Sequence, residues 1–305
     1  MSTQRVYGRS ETLINFARGL SQDLSKSLAE FIAPTVVTGI ASGQYKSFAD
    51  KNAFQVPATR RAIGGKANRI GFESEDAYYN CAPNALEITI DAFEREKAGA
   101  DASMLEQAKT ATVVGAARLS HEKAVFDLVR ASVSAVGSRG NWSSGSVDPI
   151  DELDEQIEAI AQATGMMPNR LVLGLSAFRT LRKNAKVIAR QPGAAIVGLT
   201  TAQLAAMLIN PEIEIRVGVL AYDTAKPGKD KSSSFIVGAD AFLFCASQNP
   251  TPYDPSFAKT FTVSSGNVFD VQMNAEDHRT DVISVDWSEE IKVVSAACGR
   301  RLAIT

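Results

Sequence analysis

Histidine is scarce in this chain of 305 residues, which holds only His121 and His278. General acid–base chemistry at neutral pH would therefore fall mostly to carboxylates. Cysteine is nearly as rare. Cys81, Cys245 and Cys298 are odd in number, far apart and without a CxxC pair, so neither a structural zinc site nor a disulfide framework is indicated. They read as small buried hydrophobes in a reducing compartment. No apolar run approaches the roughly 18 residues of a membrane span. The start, Met1-Ser2-Thr3-Gln4-Arg5, leads into polar sequence and not into a signal core. A basic excess is missing too: the formal charge of -2 argues against general attraction to nucleic acid. Walker A and GxGxxG patterns are absent, and Gly64-Gly65-Lys66 suits a hairpin tip better than a phosphate loop. What is present is the 45% apolar content of a folded protein, long enough for one large or two medium domains.

The most informative stretch runs from Thr38 to Ile90. Apolar residues come thinly there, in short alternating sets (Phe54 with Val56, Ile70 with Phe72), broken by glycine and Pro57. Connections inside compact domains are typically about 4–6 residues, and a two-stranded excursion is marginal alone in water. Such a segment needs something outside its own fold to hold it, most simply a neighbouring copy. Between Lys51 and Phe72 stand the basic residues Lys51, Arg60, Arg61, Lys66 and Arg69, with no acid. A complementary acidic run follows later: Asp148, Asp151, Glu152, Asp154, Glu155 and Glu158. Patches of this kind set register between subunits. Protein–protein contact is favoured over a solvated surface, and over nucleic acid, because the basic run lacks interleaved aromatics for stacking.

Periodicity organises the rest. Leu13, Phe16, Ala17, Leu20, Leu24, Leu28 and Phe31 mark an amphipathic helix, with Ser10 as N-cap and Pro34 as its stop. Leu86, Ile88 and Ile90 alternate as a half-buried strand. Leu105, Ala108, Thr112, Ala116, Leu119, Phe126, Val129, Val133 and Val136 keep helical register in a rod of about 50 Å. A Gly/Ser-rich stretch, Gly137 to Gly145, ends it. Pro149 then opens a helix with Ile150, Leu153, Ile157 and Ile160 inward, closed by Gly165. Leu171 to Leu173 is a short strand, Ser176 opens a helix through Phe178, Leu181 and Ile188, and Thr200 with Gln203 has capping-box spacing. Ile213 to Val219, Phe235 to Val237, Phe242 to Phe244 and the region Asp270 to Val294 read as strands. Helix and strand alternate in the middle and strands dominate the end, which is α+β and not a doubly wound sheet.

Gly174-Leu175-Ser176-Ala177-Phe178, between a strand and a helix, offers an enzymatic reading. It approaches the nucleophile elbow of α/β-hydrolases, and Asp223 and His278 follow in the matching order. Phe178 replaces the second glycine, however, no HGGG-type oxyanion loop exists, and Ser176 is explained as a helix N-cap. His121 falls away from the main stripe of the long helix and reads as a surface or interface residue. His278 sits in a polar turn. Glu289 and Glu290 are neighbours on a strand and point to opposite faces.

The order of segments resembles the major capsid proteins of tailed bacteriophages, a fold also seen in encapsulins and the herpesvirus capsid floor. The local matches are Thr164 to Gly174 with Phe178 to Lys183, Phe235 to Asp240, Asn249 to Phe257, and Val285 to Val294. The resemblance implies an N-terminal arm (1–37), an extended β-hairpin loop (38–93), a peripheral domain with a spine helix and sheet (94–165 and 261–305) and an axial domain (166–260). It implies a non-enzymatic coat protein without cofactor or metal, assembling with itself into pentamers and hexamers of an icosahedral head around double-stranded DNA. Portal protein, and scaffolding or decoration proteins, are the further partners it implies; the DNA is held without sequence-specific binding and no membrane is involved. Such a protein is made in the bacterial host cytoplasm and ends in the virion. An encapsulin-like compartment shell is the alternative within the fold, and a serine hydrolase the alternative outside it. With no long assembly segment ahead of the arm, a scaffold would be a separate protein. Lys46, Lys51 and Lys66 are loop lysines of the kind some relatives cross-link, but nothing singles out a pair.

Overall fold

The computed structural model describes residues 27–48, 54, 56, 59–61, 63–67, 69, 74–99, 102–137, 139–190, 198–226, 228–263 and 269–305. The expected Ser10 cap, most of the first amphipathic helix, Lys51, Pro57, Ile70 and Phe72 lie outside the described residues. The chain enters through helix α1 (Ala29–Ile32), after which Pro34 follows as anticipated. Leu28, Phe31 and Ile32 of this entry are buried in the body. Strands β1 (Thr35–Val37), β2 (Ser42–Phe48), β3 (Ser74–Asn80) and β4 (Ala82–Asp91) come next. Asp91 and Glu94 form a capping box that turns β4 into helix α2 (Ala92–Ala98).

The rod is helix α3 (Ala102–Ser132), 31 residues long. Its inner face differs from the expected stripe: Thr112 and Ala116 are exposed, while Val113, Val114, Ala117, His121, Val125, Phe126 and Val129 are buried. Two buried polar residues, His121 and Glu122, stand within that face and break its apolar period. The rod serves two separate cores. Val113, Val114 and Ala117 pack with Ile90, Val271, Ile283 and Val285, whereas Val125, Phe126 and Val129 enter the larger core around Phe242, Phe244 and Leu173.

Helix α4 (Pro149–Thr164) is set as its sequence dictates, with Asp148 capping the Ile150 amide and Gly165 left-handed at φ 70. Strand β5 (Arg170–Gly174) leads into α5 (Leu175–Lys183) and α6 (Ala185–Arg190), two helices where one was expected. Asn184 breaks the run. Its side-chain amide donates to the carbonyls of Trp142, Ser144 and Val147 at 3.0, 3.2 and 3.1 Å, and its own oxygen accepts the Lys186 amide. Helix α7 (Thr201–Met207) carries the anticipated Thr200/Gln203 box. The remaining strands are β6 (Glu214–Gly218), β7 (Ala221–Asp223), β8 (Ser233–Phe235), β9 (Asp240–Phe244), β10 (Ala258–Thr262), β11 (Asp270–Ala275), β12 (Thr280–Val293) and β13 (Gly299–Ala303).

Two sheets organise them. One is centred on β12, which pairs antiparallel with β4 over residues 280–289, with β11 over 281–286 and with β10 over 289–293; β1 runs parallel to β10. Since β4 and β10 both pair at Glu289, they flank β12 on opposite sides. The other sheet has the order β13-β9-β5-β6, with β5 and β6 parallel and the other pairs antiparallel. The architecture is therefore mixed α+β, as the sequence implied.

Two strand pairings join segments distant in the chain. Strand β4, placed in the loop segment 38–93, belongs to the β12 sheet, and β13, placed in the peripheral segment 261–305, closes the β5–β9 sheet. Pairing, not chain order, decides membership. The halves are tied by Asp240, whose carboxylate receives Arg130 Nε at 2.8 Å from the rod and Arg301 Nε at 3.1 Å from β13. Among the described residues no helix is long and apolar enough to cross a membrane.

Candidate assembly interface

The excursion is two-stranded, as expected, but its ladder lies at other residues than the sequence pattern suggested. β2 and β3 pair antiparallel from Ser42↔Asn80 to Phe48↔Ser74, outside the alternating sets around Phe54 and Ile70. Phe54 sits in a turn and Val56 in irregular chain. Because β3 runs through Cys81 directly into β4, the stem projects from the edge of the β12 sheet. Three aromatic rings root it. Tyr79 stacks on Phe261 with centroids 4.7 Å apart, and Tyr45 leans on the same ring at 5.3 Å. Val36 and Cys81 complete this small core. Gly43 makes it possible: a Cβ there would stand 2.4 Å from the Tyr79 hydroxyl oxygen. Glu290, beside the stem, accepts the Asn80 amide and pairs with Lys292 at 2.7 Å.

Beyond the stem, several of the described residues are bare. Val56 and Ile63 are 97% and 107% exposed, and Arg60, Arg61, Lys66 and Arg69 are exposed with them. Ile63 and Gly64 form a turn, with Gly64 at φ 78 and Arg61 Nη1 donating to the Gly65 carbonyl at 2.8 Å. Phe54 lies beside the end of α4, its ring carbons 3.7 and 3.8 Å from where a Cβ on Gly165 would stand. Part of the loop therefore touches its own body, while the basic tip stays open.

The acidic run is less uniform than its sequence. Glu152 is buried and accepts Gly140 N at 2.9 Å and Trp142 Nε1 at 2.8 Å, so it is used inside the chain. Asp148 caps α4 and pairs with Arg190 at 2.6 Å. Asp154 accepts the Ile209 amide at 2.9 Å, and burial holds its carboxyl above the usual range. Glu155 pairs with Arg139 at 2.7 Å. Asp151 and Glu158 are exposed. A heptad or helical count could not separate these roles, because most of the partners come from other elements and loops.

Glu122 escaped sequence reading altogether. Although it is a carboxylate on the rod, it is buried and accepts Ser27 Oγ at 2.7 Å, Leu28 N at 2.9 Å and Ala29 N at 2.8 Å. It thus supplies, from another element, the cap that α1 lacks, since Leu28 makes no side-chain cap bond. Burial pushes the Glu122 carboxyl up, against the pull of those donors. His121, expected at the surface, is likewise buried, with Nδ1 2.7 Å from Glu289 of β12. The rod lies on that strand, so a residue off the apolar stripe still faces the sheet.

The hydrolase reading finds no assembled site. Ser176 is not the N-cap, a place held by Gly174; its hydroxyl donates to the Gly238 carbonyl at 2.8 Å. Asp223 accepts the amides of Ala225 and Ser232, both at 2.9 Å, on the β7–β8 ribbon, and His278 lies in the turn between β11 and β12. Among the described residues, no group of three His, Cys, Asp or Glu side chains is placed to hold a metal ion.

Comparison with known proteins bears on the fold. No protein-family model matches the chain. It is 28% identical over 282 residues to the major capsid protein of Burkholderia phage BcepMu, covering 89% of this chain and 88% of that one. A crystal structure of a phage-related protein from Bordetella bronchiseptica RB50 superposes with a TM-score of 0.72 at 23% identity, over 98% of this chain and 97% of the other. The chain has the tailed-phage capsid fold. Encapsulins share it: the SrpI encapsulin of Synechococcus elongatus PCC 7942 superposes with a TM-score of 0.53 at 10% identity, over 92% and 88% of the two chains.

Proposed function

We propose that this chain is a major capsid protein, a structural shell subunit whose copies form pentamers and hexamers and close an icosahedral phage head around double-stranded DNA. The observation that carries the reading is the loop: a rigidly rooted stem ending in a basic tip whose Val56 and Ile63 side chains have no cover in the single chain. Burying such side chains on an adjacent copy stabilises each by about 1.5–3 kcal/mol at most. Many modest contacts per subunit add up when the shell closes. The 31-residue rod provides a stiff edge between two cores. The near-neutral charge of -2 lets the inner wall accept DNA without holding it. Sequence likeness to a phage coat protein favours this reading over a compartment for cargo enzymes. Portal protein, with scaffolding or decoration proteins, would complete the head; synthesis would take place in the bacterial cytoplasm and the product would reside in the virion.

Negative-stain microscopy of the purified protein tests the proposal. Hollow polyhedral particles are expected, and a persistent monomer at high concentration would overturn it. Particles recovered from infected or induced cells separate the two shells: nuclease-protected DNA marks a phage head, a stoichiometric enzyme cargo the encapsulin-like compartment.

A further inference from the structure

Two of the three cysteines, 53 positions apart in sequence, meet in the fold. The register of β9 and β13 pairs Phe244 with Gly299, so the next pair outward is Cys245 with Cys298. Cys245 N donates to the Cys298 carbonyl at 3.0 Å, and the Cys298 thiol donates to the Pro255 carbonyl at 3.8 Å. Directly opposed residues on adjacent antiparallel strands have Cβ atoms about 4.5–5.5 Å apart, close to the roughly 3.5–4.5 Å of a disulfide. The ladder also loosens at this point. The reciprocal bond is not made: Cys298 N turns to the Ser295 carbonyl and the Cys245 carbonyl accepts Phe257 N instead. The backbones can therefore approach without breaking a paired set. Both cysteines are buried, 6% and 2% exposed, in the larger core, while Cys81 sits at the loop root in a different one.

We propose that Cys245 and Cys298 are a built-in oxidation site that closes to an intramolecular disulfide once the protein leaves a reducing compartment. The oxidant is a small disulfide such as oxidised glutathione. One protein thiolate attacks it and displaces a glutathione thiolate. The second protein thiolate then attacks the protein sulfur of the mixed disulfide and releases the other glutathione. Two electrons pass from the protein thiols to the oxidant, and the two protons end on the two glutathione thiols. The product ties β13, the last strand, covalently to β9 and encloses residues 246–297, which include all of β10, β11 and β12. Restricting that long stretch in the unfolded chain raises resistance to unfolding. The inference is independent of shell assembly, since both sulfurs belong to one chain.

The test counts thiols. Reduced protein and protein held with oxidised glutathione are denatured and titrated, and a third sample is refolded from denaturant in a glutathione redox mixture, so that burial cannot shield the pair. A fall from three free thiols to one is expected, with a peptide map joining Cys245 to Cys298 and a higher unfolding midpoint for the oxidised form. Cys81→Ser should leave the bridge intact; Cys245→Ser and Cys298→Ser should each abolish it. Three free thiols in both the oxidised and the refolded samples, or a bridge that uses Cys81, would overturn the proposal.

Discussion

Tyr79 lies flat on Phe261, ring centroids 4.7 Å apart and planes inclined by 9°. Tyr79 belongs to the loop stem and Phe261 to β10 of the β12 sheet, so this stack fixes the direction in which the loop leaves the body. A stem of two strands has little stability of its own, and the anchor at its root supplies what pairing alone does not.

Removing the anchor should therefore loosen the loop before the fold. Phe261→Ala strips a fully buried ring from beneath both Tyr45 and Tyr79 and should cost about 3–5 kcal/mol. Gly43→Ala is the milder probe: its Cβ would meet Tyr79 at 2.4 Å and push the ring off the stack. Hydrogen exchange should show faster exchange in β2 and β3 for the glycine variant, with β9 and β5 unchanged. Uniform acceleration across both sheets would show that the root is not a local anchor.

Glu122 should behave as a structural carboxylate. Glu122→Ala leaves the amides of Leu28 and Ala29 without their acceptor, a loss of about 1–3 kcal/mol for each buried donor. Glu122→Gln keeps one acceptor oxygen and should recover most of this. Because burial raises the carboxyl above its ordinary 4.5, the folded chain binds that proton more tightly than the unfolded one. The stability this group contributes is then full below the ordinary value and declines as pH rises through the raised one. Denaturant titrations of wild type and Glu122→Gln at several pH values should show wild type gaining relative to the variant in mild acid. A relative gain toward neutral pH instead would mean that the hydrogen bonds outweigh burial.

Ser176 tests the enzymatic alternative. Its hydroxyl is committed to the Gly238 carbonyl, so Ser176→Ala should lose about 1 kcal/mol of stability and leave particles unchanged. Esterase assays on wild type and variant should be indistinguishable; activity that vanishes with the hydroxyl would revive the hydrolase.

The ends of elements were the most legible part of this chain. Asp148, Pro149 and Gly165, and the Thr200/Gln203 box, act locally, through bonds to residues a few positions away. The α+β class and the capsid fold were readable for a similar reason, since segment order survives where identity does not. The rod shows what was hidden. Its inner face contains His121, which lies against Glu289, and Glu122, which accepts bonds from the 27–29 segment, so the apolar period was displaced onto the exposed Thr112 and Ala116. The loop stem was obscured likewise. β2 and β3 carry few aliphatic residues, and Tyr45 and Tyr79 find their apolar partner in Phe261, which no local pattern points to.

The basic tip makes the last prediction, and it concerns contact between copies and not the subunit itself. Arg60 is exposed, and Arg61 is exposed with one local bond to Gly65, so Arg60→Glu with Arg61→Glu should leave the fold within about 0.5 kcal/mol of wild type. Reversing two charges at a contact costs a good deal more there, because a favourable pair becomes a repulsive one. Even about 1.4 kcal/mol per contact is a tenfold change in one association constant, and a closed shell repeats that contact in every subunit. The variant is expected to show wild-type circular dichroism and melting but to elute as free subunits or small oligomers, with few particles on the grid. Arg60→Glu alone should give an intermediate yield, and added salt should weaken wild-type assembly in the same direction, as screening of exposed charges requires. A double variant that assembles as well as wild type would remove the tip from the contact and leave the uncovered Val56 and Ile63 to be explained in another way.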